Sequence, residues 1–260
     1  MENRLDIAIK EKYGYSREYS KEIILKGYVK VNNKNIKKPS FKVADTDIIV
    51  LSKEAIPKYV SRGGFKLEKA LEYFNICIKN KDCMDIGAST GGFSDCMLQN
   101  EANLIYAIDV GDSQLNEKII NNSKVISIEN MDIRDFVIDK KFDFISVDVS
   151  FISLKKIIYK LNDFIKDTGI ITLLIKPQFE AGRENIDKNG IVKNKNVHIK
   201  VLEDISNFCK EHGFFIQGLT YSPIKGGKGN IEYLICLNKH FENKDLPFKK
   251  IVFEAFENLK

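Results

Sequence analysis

Four charged side chains stand where chemistry is to be expected: Lys66, Asp148, Lys176 and Glu232. Asp148 closes the apolar run Phe144-Ile145-Ser146-Val147, and Lys176 closes Leu173-Leu174-Ile175 just before a proline. A charge at the end of a buried strand is costly unless it is paired, so each needs a partner or a function. Lys66 follows Ser61-Arg62-Gly63-Gly64, and Glu232 opens the last apolar run. Any one of them alone would pass for a surface charge. Amines and carboxylates gathered in one cleft are groups that can move protons.

A second constellation lies beside them. Asp85-Ile86-Gly87-Ala88-Ser89-Thr90-Gly91-Gly92-Phe93-Ser94 reads as a strand that breaks into a glycine-rich turn and opens a helix. Such a loop brings backbone N–H groups and a helix N-terminus against a nucleotide-like ligand. The next apolar run, Leu104 to Ile108, ends on Asp109, 22 positions after Gly87, where a carboxylate suits two ribose hydroxyls. The spacing departs from Gly-x-Gly-x-x-Gly, and no Gly-Lys-Ser/Thr follows to hold a triphosphate. S-adenosylmethionine therefore fits better than NAD or ATP.

The elements that must position these residues follow from periodicity. Strands are expected near 82–86, 104–109, 124–128, 143–148 and 170–175, with amphipathic stretches at Ile152–Phe164 and Val197–Glu211. Right-handed crossovers then give an α/β, Rossmann-like doubly wound sheet, whose carboxyl edge would collect the four charges. Phe214–Ser222 and Ile231–Leu237, separated by Gly226-Gly227-Lys228-Gly229-Asn230, read as a terminal antiparallel hairpin.

Residues 1–52 have a different grain. A helix begins at Arg4, Ser16 caps a second that stops at Gly27, and Asn32-Asn33 joins the alternating runs 28–31 and 34–37. A strand over 47–51 would complete a small α+β module, and Ser52–Lys58, with Pro57, reads as a linker to a second domain over 59–260. Residues 1–60 hold 13 Lys+Arg against 8 Asp+Glu, so they carry the whole net charge of +5. A basic module beside a neutral one points to a polyanion such as RNA. Arg4, Arg17, Lys21, Lys26, Lys30, Lys37 and Lys38 are the expected phosphate contacts, with Arg62 next to Lys66.

The longest uncharged apolar stretches fall far short of the roughly 20 residues of a membrane helix. Met1-Glu2-Asn3-Arg4 has no apolar signal core, which leaves the cytoplasm as the expected compartment. Five cysteines without a Cys-x-x-Cys pair, and three histidines far from them, give no zinc pattern; reduced thiols and no metal are expected.

The ordered motifs Tyr59–Leu67, Asp85–Phe93, Asp109-Val110-Gly111 with Gln114-Leu115, Asp148–Leu154, Lys176-Pro177-Gln178-Phe179-Glu180, and Ser222-Pro223 with Gly229-Asn230-Ile231-Glu232 resemble the hemolysin A or TlyA-like ribosomal RNA methyltransferases. That family joins a small RNA-binding domain, first seen in ribosomal small-subunit protein S-four, to an FtsJ/RrmJ-like class I methyltransferase domain. The N-terminal resemblance rests on Ser16-Arg17, Ile24–Gly27, Val29–Asn32 and Lys38-Pro39. The family resemblance implies that Lys66, Asp148, Lys176 and Glu232 are the catalytic set. Asp85, Gly87, Ser89, Thr90, Gly91, Gly92, Phe93, Asp109, Asp132 and Ile133 would then hold the cofactor. Asp132 stands where an asparagine is expected before the arginine, which weakens the adenine contact there.

The implied reaction is attack of a cytidine ribose 2′-hydroxyl in 23S rRNA on the sulfonium methyl of S-adenosylmethionine, with Lys176 as base. Some members also act on 16S rRNA; the short stretch ahead of the first helix favours the 23S-only kind. Lowering a lysine from about 10.4 to about 8 needs roughly 3 kcal/mol of bias toward the neutral amine, which burial and Lys66 would supply and Asp148 would oppose. Asp148 would orient Lys176, and Glu232 would steady Lys66 and the substrate sugar. The rival readings are a membrane-active hemolysin, a base or small-molecule methyltransferase, and an RNA-binding factor with a dead catalytic domain. None of the cysteines follows a proline, as a cytosine-C5 nucleophile commonly would.

Overall fold

Glu2–Arg4 (β1) runs straight into a helix, Leu5–Tyr13 (α1), which stops where Gly14 turns left-handed at φ 71°. Ser16 then caps Arg17–Leu25 (α2), its hydroxyl accepting the Tyr19 N–H at 3.1 Å. The expected hairpin forms from Val29–Val31 (β2) and Lys34–Asn35 (β3), turning through Asn32 and Asn33 at φ 47° and 67°, a conformation asparagine tolerates. Lys42–Ala44 (β4) pairs with β1, a ladder that alternation alone does not reveal, and Ile49–Leu51 (β5) pairs with β2. Leu5, Ile9, Ile23, Ile24, Val29 and Val43 close the core of this unit.

The computed structural model describes residues 2–240, 242 and 244–259, and the chain divides into units of residues 1–58 and 59–260. The stretch that reads as a linker is not free at its start. Lys53–Ala55 forms a 3₁₀ turn, Ala55 is buried in the N-terminal core, and its carbonyl accepts the Tyr19 hydroxyl.

The second unit alternates helix and strand. Gly63–Tyr73 (α3) precedes Asp82–Ile86 (β6), Gly92–Gln99 (α4), Leu104–Ile108 (β7), Glu117–Ile120 (α5), Val125–Ile128 (β8) and Phe142–Val147 (β9). Ile165–Ile175 (β10), Pro177–Glu180 (α6), Lys195–Glu211 (α7), Phe215–Tyr221 (β11), Tyr233–Asn238 (β12) and Phe248–Asn258 (α8) complete it. The sheet runs β11-β12-β10-β9-β6-β7-β8, with β12 antiparallel to both of its neighbours and the other pairings parallel. Successive strand residues feed different apolar cores: Met84 and Ile86 enter one, Cys83 the other.

Two expectations fail here. Ile152–Phe164 is not an α-helix but two 3₁₀ turns, Leu154–Lys156 and Ile158–Asp163. Its buried residues Leu154, Ile157, Ile158 and Leu161 fall at spacings of three and four, a pattern that an α-helix and a pair of 3₁₀ turns share. The chain also does not close on the hairpin, since α8 follows and sends Ile251, Val252 and Ala255 into the main core.

Candidate active site

Strand direction explains why residues so far apart in sequence meet. β9 and β10 are parallel neighbours, so Asp148 and Lys176, each one residue past its strand, emerge at the same edge. β12 runs the other way and pairs Tyr233 with Ile175, so the residue before it, Glu232, enters beside the residue after β10. The first turn of α3 carries Lys66 to the same place.

The four side chains form a connected line of alternating charge. Glu232 Oε2 lies 2.6 Å from Lys66 Nζ, Lys66 Nζ lies 3.8 Å from Asp148 Oδ2, and Asp148 Oδ1 lies 2.6 Å from Lys176 Nζ. Lys176 also donates to the Ser150 hydroxyl at 2.8 Å. Both lysines and Glu232 are buried. Two ammoniums and two carboxylates out of water are tolerable only as such a paired set.

Lys66, Asp148, Ser150 and Lys176 border a cavity of about 290 Å³. The glycine loop forms another side, through Gly87, Ser89, Thr90, Gly92 and Phe93, and Arg62 and Lys225 reach its rim. Glu232 stands behind Lys66 and does not line the cavity. Its expected contact with a substrate sugar therefore gives way to its pairing with Lys66.

The loop is shaped to receive a ligand's backbone contacts. Gly87 sits at φ 83°, and a Cβ there would lie 2.5 Å from the Asp148 carbonyl oxygen. Gly91, at φ 89°, is expected from sequence to face the cofactor, but it turns to Leu115 and Ile119 and does not line the cavity. Its glycine is required by conformation. Asp109 accepts the Ser89 and Gly111 N–H groups at 2.8 and 2.7 Å, which fixes the loop; it stands behind Ser89 and, like Gly91, does not itself line the cavity.

Three further expected cofactor residues are placed differently. Asp85 is sealed beneath the loop, accepting the Ser94 and Ser146 hydroxyls at 2.7 and 3.0 Å; burial, reinforced by the Asp148 charge, pushes its carboxyl up to about 7. It shapes the site from below. The Asp132 carboxylate is engaged by the Arg134 guanidinium, which holds it below the usual range. The Ile133 side chain belongs to the main core.

Two residues of the quoted motifs have placements that motif membership does not announce. Phe151 is 88% exposed at φ 64°, an unusual conformation for a bulky residue, with its ring 5.3 Å from Phe179. Glu180, raised by burial, accepts the Ser153 hydroxyl and the Leu154 N–H, tying α6 to the turn that follows Asp148. Positive φ at a phenylalanine is invisible in a sequence.

In the N-terminal unit, Arg4 and Arg17 both hold the buried Asp6 carboxylate, at 2.9 and 3.1 Å, and Arg4 chiefly lowers its pKa. Their remaining N–H donors stay available to phosphate. Lys26 pairs with Glu22, whereas Lys30, Lys37 and Lys38 are exposed and Lys21 is half-buried.

A parallel sheet with one reversed strand, a glycine loop after β6 and charges at its carboxyl edge define an S-adenosylmethionine-dependent methyltransferase. Residues 59–239 match the FtsJ-like methyltransferase model, and residues 3–49 match the S4 domain model. The chain is 43% identical to hemolysin A of Brachyspira hyodysenteriae, over 86% of this chain and 94% of the relative. It is 38% identical to 23S rRNA (cytidine-2′-O)-methyltransferase TlyA of Campylobacter jejuni, over 88% and 97%. A solved structure described as "Putative hemolysin from Streptococcus thermophilus" superposes with a TM-score of 0.78 at 42% identity, covering 99% of this chain and 96% of that one. The chain belongs to the TlyA/hemolysin A family of FtsJ-like methyltransferases.

Proposed function

We propose that this protein methylates the ribose 2′-hydroxyl of a cytidine in ribosomal RNA, with 23S rRNA as the first substrate to test and 16S rRNA as the second. The observation that carries this reading is the Glu232–Lys66–Asp148–Lys176 line meeting the glycine loop at one cavity. S-adenosylmethionine, held by the glycine loop and Asp109, would supply an electrophilic methyl group. Lys176 is the general base. The Ser150 hydroxyl accepts one of its N–H groups and the Asp148 carboxylate lies against the same nitrogen, so the neutral amine would keep its lone pair for the hydroxyl proton. Lys66, steadied by Glu232, places positive charge where the attacking oxygen gains negative charge. Positioning contributes more than the base alone, up to roughly 7–11 kcal/mol against about 10²–10⁴-fold for proton removal.

RNA recognition is assigned to the exposed lysines of the S4 unit and to Arg62. Phe151 supports the choice of an unpaired nucleotide, because an exposed aromatic face beside the base is a stacking platform for a splayed-out nucleobase. The cytoplasm, where ribosomes are made, is the matching compartment. A membrane-active role draws on the name of some relatives; no helix among the described residues is long and apolar enough to cross a membrane. The test is methyl transfer from labelled S-adenosylmethionine to unmodified 50S and 30S subunits, with nucleoside mass spectrometry. 2′-O-Methylcytidine is the expected product, and a base-methylated nucleoside overturns the ribose mechanism.

A further inference from the structure

Glu232 is bracketed by two buried polar side chains, Asn230 and Tyr233, and both connect to Val192, the second through His198. The Asn230 carbonyl oxygen accepts the Val192 N–H at 3.0 Å, and its amide donates to the Gly190 carbonyl at 2.8 Å. His198, on the first turn of α7, contacts the Val192 carbonyl through Nε2 at 2.9 Å. A carbonyl only accepts, so Nε2 carries the proton, and Nδ1 must accept from the Tyr233 hydroxyl, 2.9 Å away. The circuit Asn230–Val192–His198–Tyr233 is closed, and His198, Tyr233, Val192 and Asn230 are each at most 2% exposed.

Nothing in the proposed chemistry uses this circuit, and burying so many polar groups is costly unless every one is satisfied. Its location gives it a task. Glu232 projects from the short span between the two anchors, and its own backbone carbonyl accepts the Ser222 N–H. Asn230 also accepts the Gly226 N–H through its backbone, closing the glycine-rich loop whose Gly226 lies so near Glu232 that a Cβ there would meet Oε1 at 2.3 Å. The chain around Glu232 is thus held on both sides, and its carboxylate meets Lys66 through Oε2 at 2.6 Å and, more weakly, the Gln178 amide through Oε1 at 3.5 Å.

We propose that Asn230, His198 and Tyr233 are positioning residues that set the Glu232–Lys66 pair, and through it the charge next to the reacting hydroxyl. The inference rests on the methyl-transfer reading for its kinetic consequence, but its structural half does not.

Tyr233→Phe removes only the hydroxyl that His198 accepts, and Asn230→Ala removes both side-chain anchors to the 190–192 segment. The first readout needs no RNA: acylation of Lys66 by acetic anhydride in the full-length protein, followed by mass spectrometry. Lys66 should be modified several-fold faster in both variants, with unrelated surface lysines unchanged and folding checked by circular dichroism. The second readout is steady-state methyl transfer. In each variant kcat should fall by roughly ten- to a hundredfold, as expected of a small misplacement, while KM for S-adenosylmethionine stays constant. Combining Tyr233→Phe with Glu232→Gln should cost no more than Glu232→Gln alone, because the two losses act through one pair. Wild-type protection of Lys66 in the variants, or losses that add in the double variant, overturns the proposal. Absence of methyl transfer by the wild type, with Lys66 deprotected in the variants, overturns the functional reading and leaves the positioning role standing.

Discussion

Lys176 donates to the Ser150 hydroxyl at 2.8 Å, and Ser150 lies two residues after Asp148, whose carboxylate holds the same nitrogen at 2.6 Å. Both polar partners of Lys176 come from one turn, so under the proposed mechanism that turn orients its proton-accepting position. Ser150→Ala should lower kcat by about tenfold with cofactor affinity unchanged. Lys176→Ala should abolish methyl transfer, and Lys176→Arg should fail as well, because a guanidinium stays protonated. Calorimetry should show cofactor binding nearly intact in both, and near-normal turnover by Lys176→Ala would remove the base assignment.

Gly87→Ala should damage binding and turnover together. The new methyl would lie 2.5 Å from the Asp148 carbonyl oxygen, so the loop and the Asp148 turn must separate. Asp109→Ala should weaken cofactor binding without touching the Lys176 contacts. Equal affinity in wild type and both variants, measured by calorimetry, would dissolve the cofactor assignment.

Asp85 makes stability depend on pH. Its carboxyl ionises near 3.8 when unfolded and at about 7 when buried, so the folded state prefers the protonated acid. That preference is fully present below about pH 4 and is lost as pH rises to 7. Asp85→Asn, which carries no such charge, should therefore gain thermal stability relative to wild type on going from pH 5 to pH 8. A constant difference in Tm across that range would contradict the buried acid.

Replacing Lys30, Lys37 and Lys38 with glutamine should weaken RNA binding and flatten its salt dependence. Each phosphate that is no longer neutralised lowers the slope of log K against log salt by about 0.7–0.9. Filter binding at salt concentrations between about 50 and 200 mM reads this directly, and an unchanged slope would place the RNA-binding surface elsewhere.

Phe151→Ala should reduce turnover on RNA while leaving cofactor affinity alone, and Phe151→Tyr should retain activity because the stacking face survives. Weakened cofactor binding in Phe151→Ala would show instead that the residue shapes the loop.

The sheet and its charged edge are legible because strand ends are marked twice, by the end of an apolar run and by the charge that ends it. Asp148 and Lys176 are of that kind. Asp85 and Gly91 sit in the glycine-loop motif and Ile133 follows Asp132, but all three face inward, and a motif does not report which way its residues face. The 3₁₀ turns at 154–163 look helical in sequence because Leu154, Ile157, Ile158 and Leu161 are spaced by three and four, as on one face of an α-helix. Ser150, Phe151 and the Asp6 pairing depend on contacts across the chain, which local pattern does not contain.

The reversal of β12 has a consequence for how the charged line is completed. Lys66 and Glu232 are separated by 166 positions, and their pairing depends on the strand of the sheet inserted against the direction of its neighbours. The parallel strands through β10 bring the glycine loop, Asp148 and Lys176 to one edge, and none of them supplies the carboxylate behind Lys66. A chain cut before β12 would lack that partner, so the last reversed strand is what closes the line.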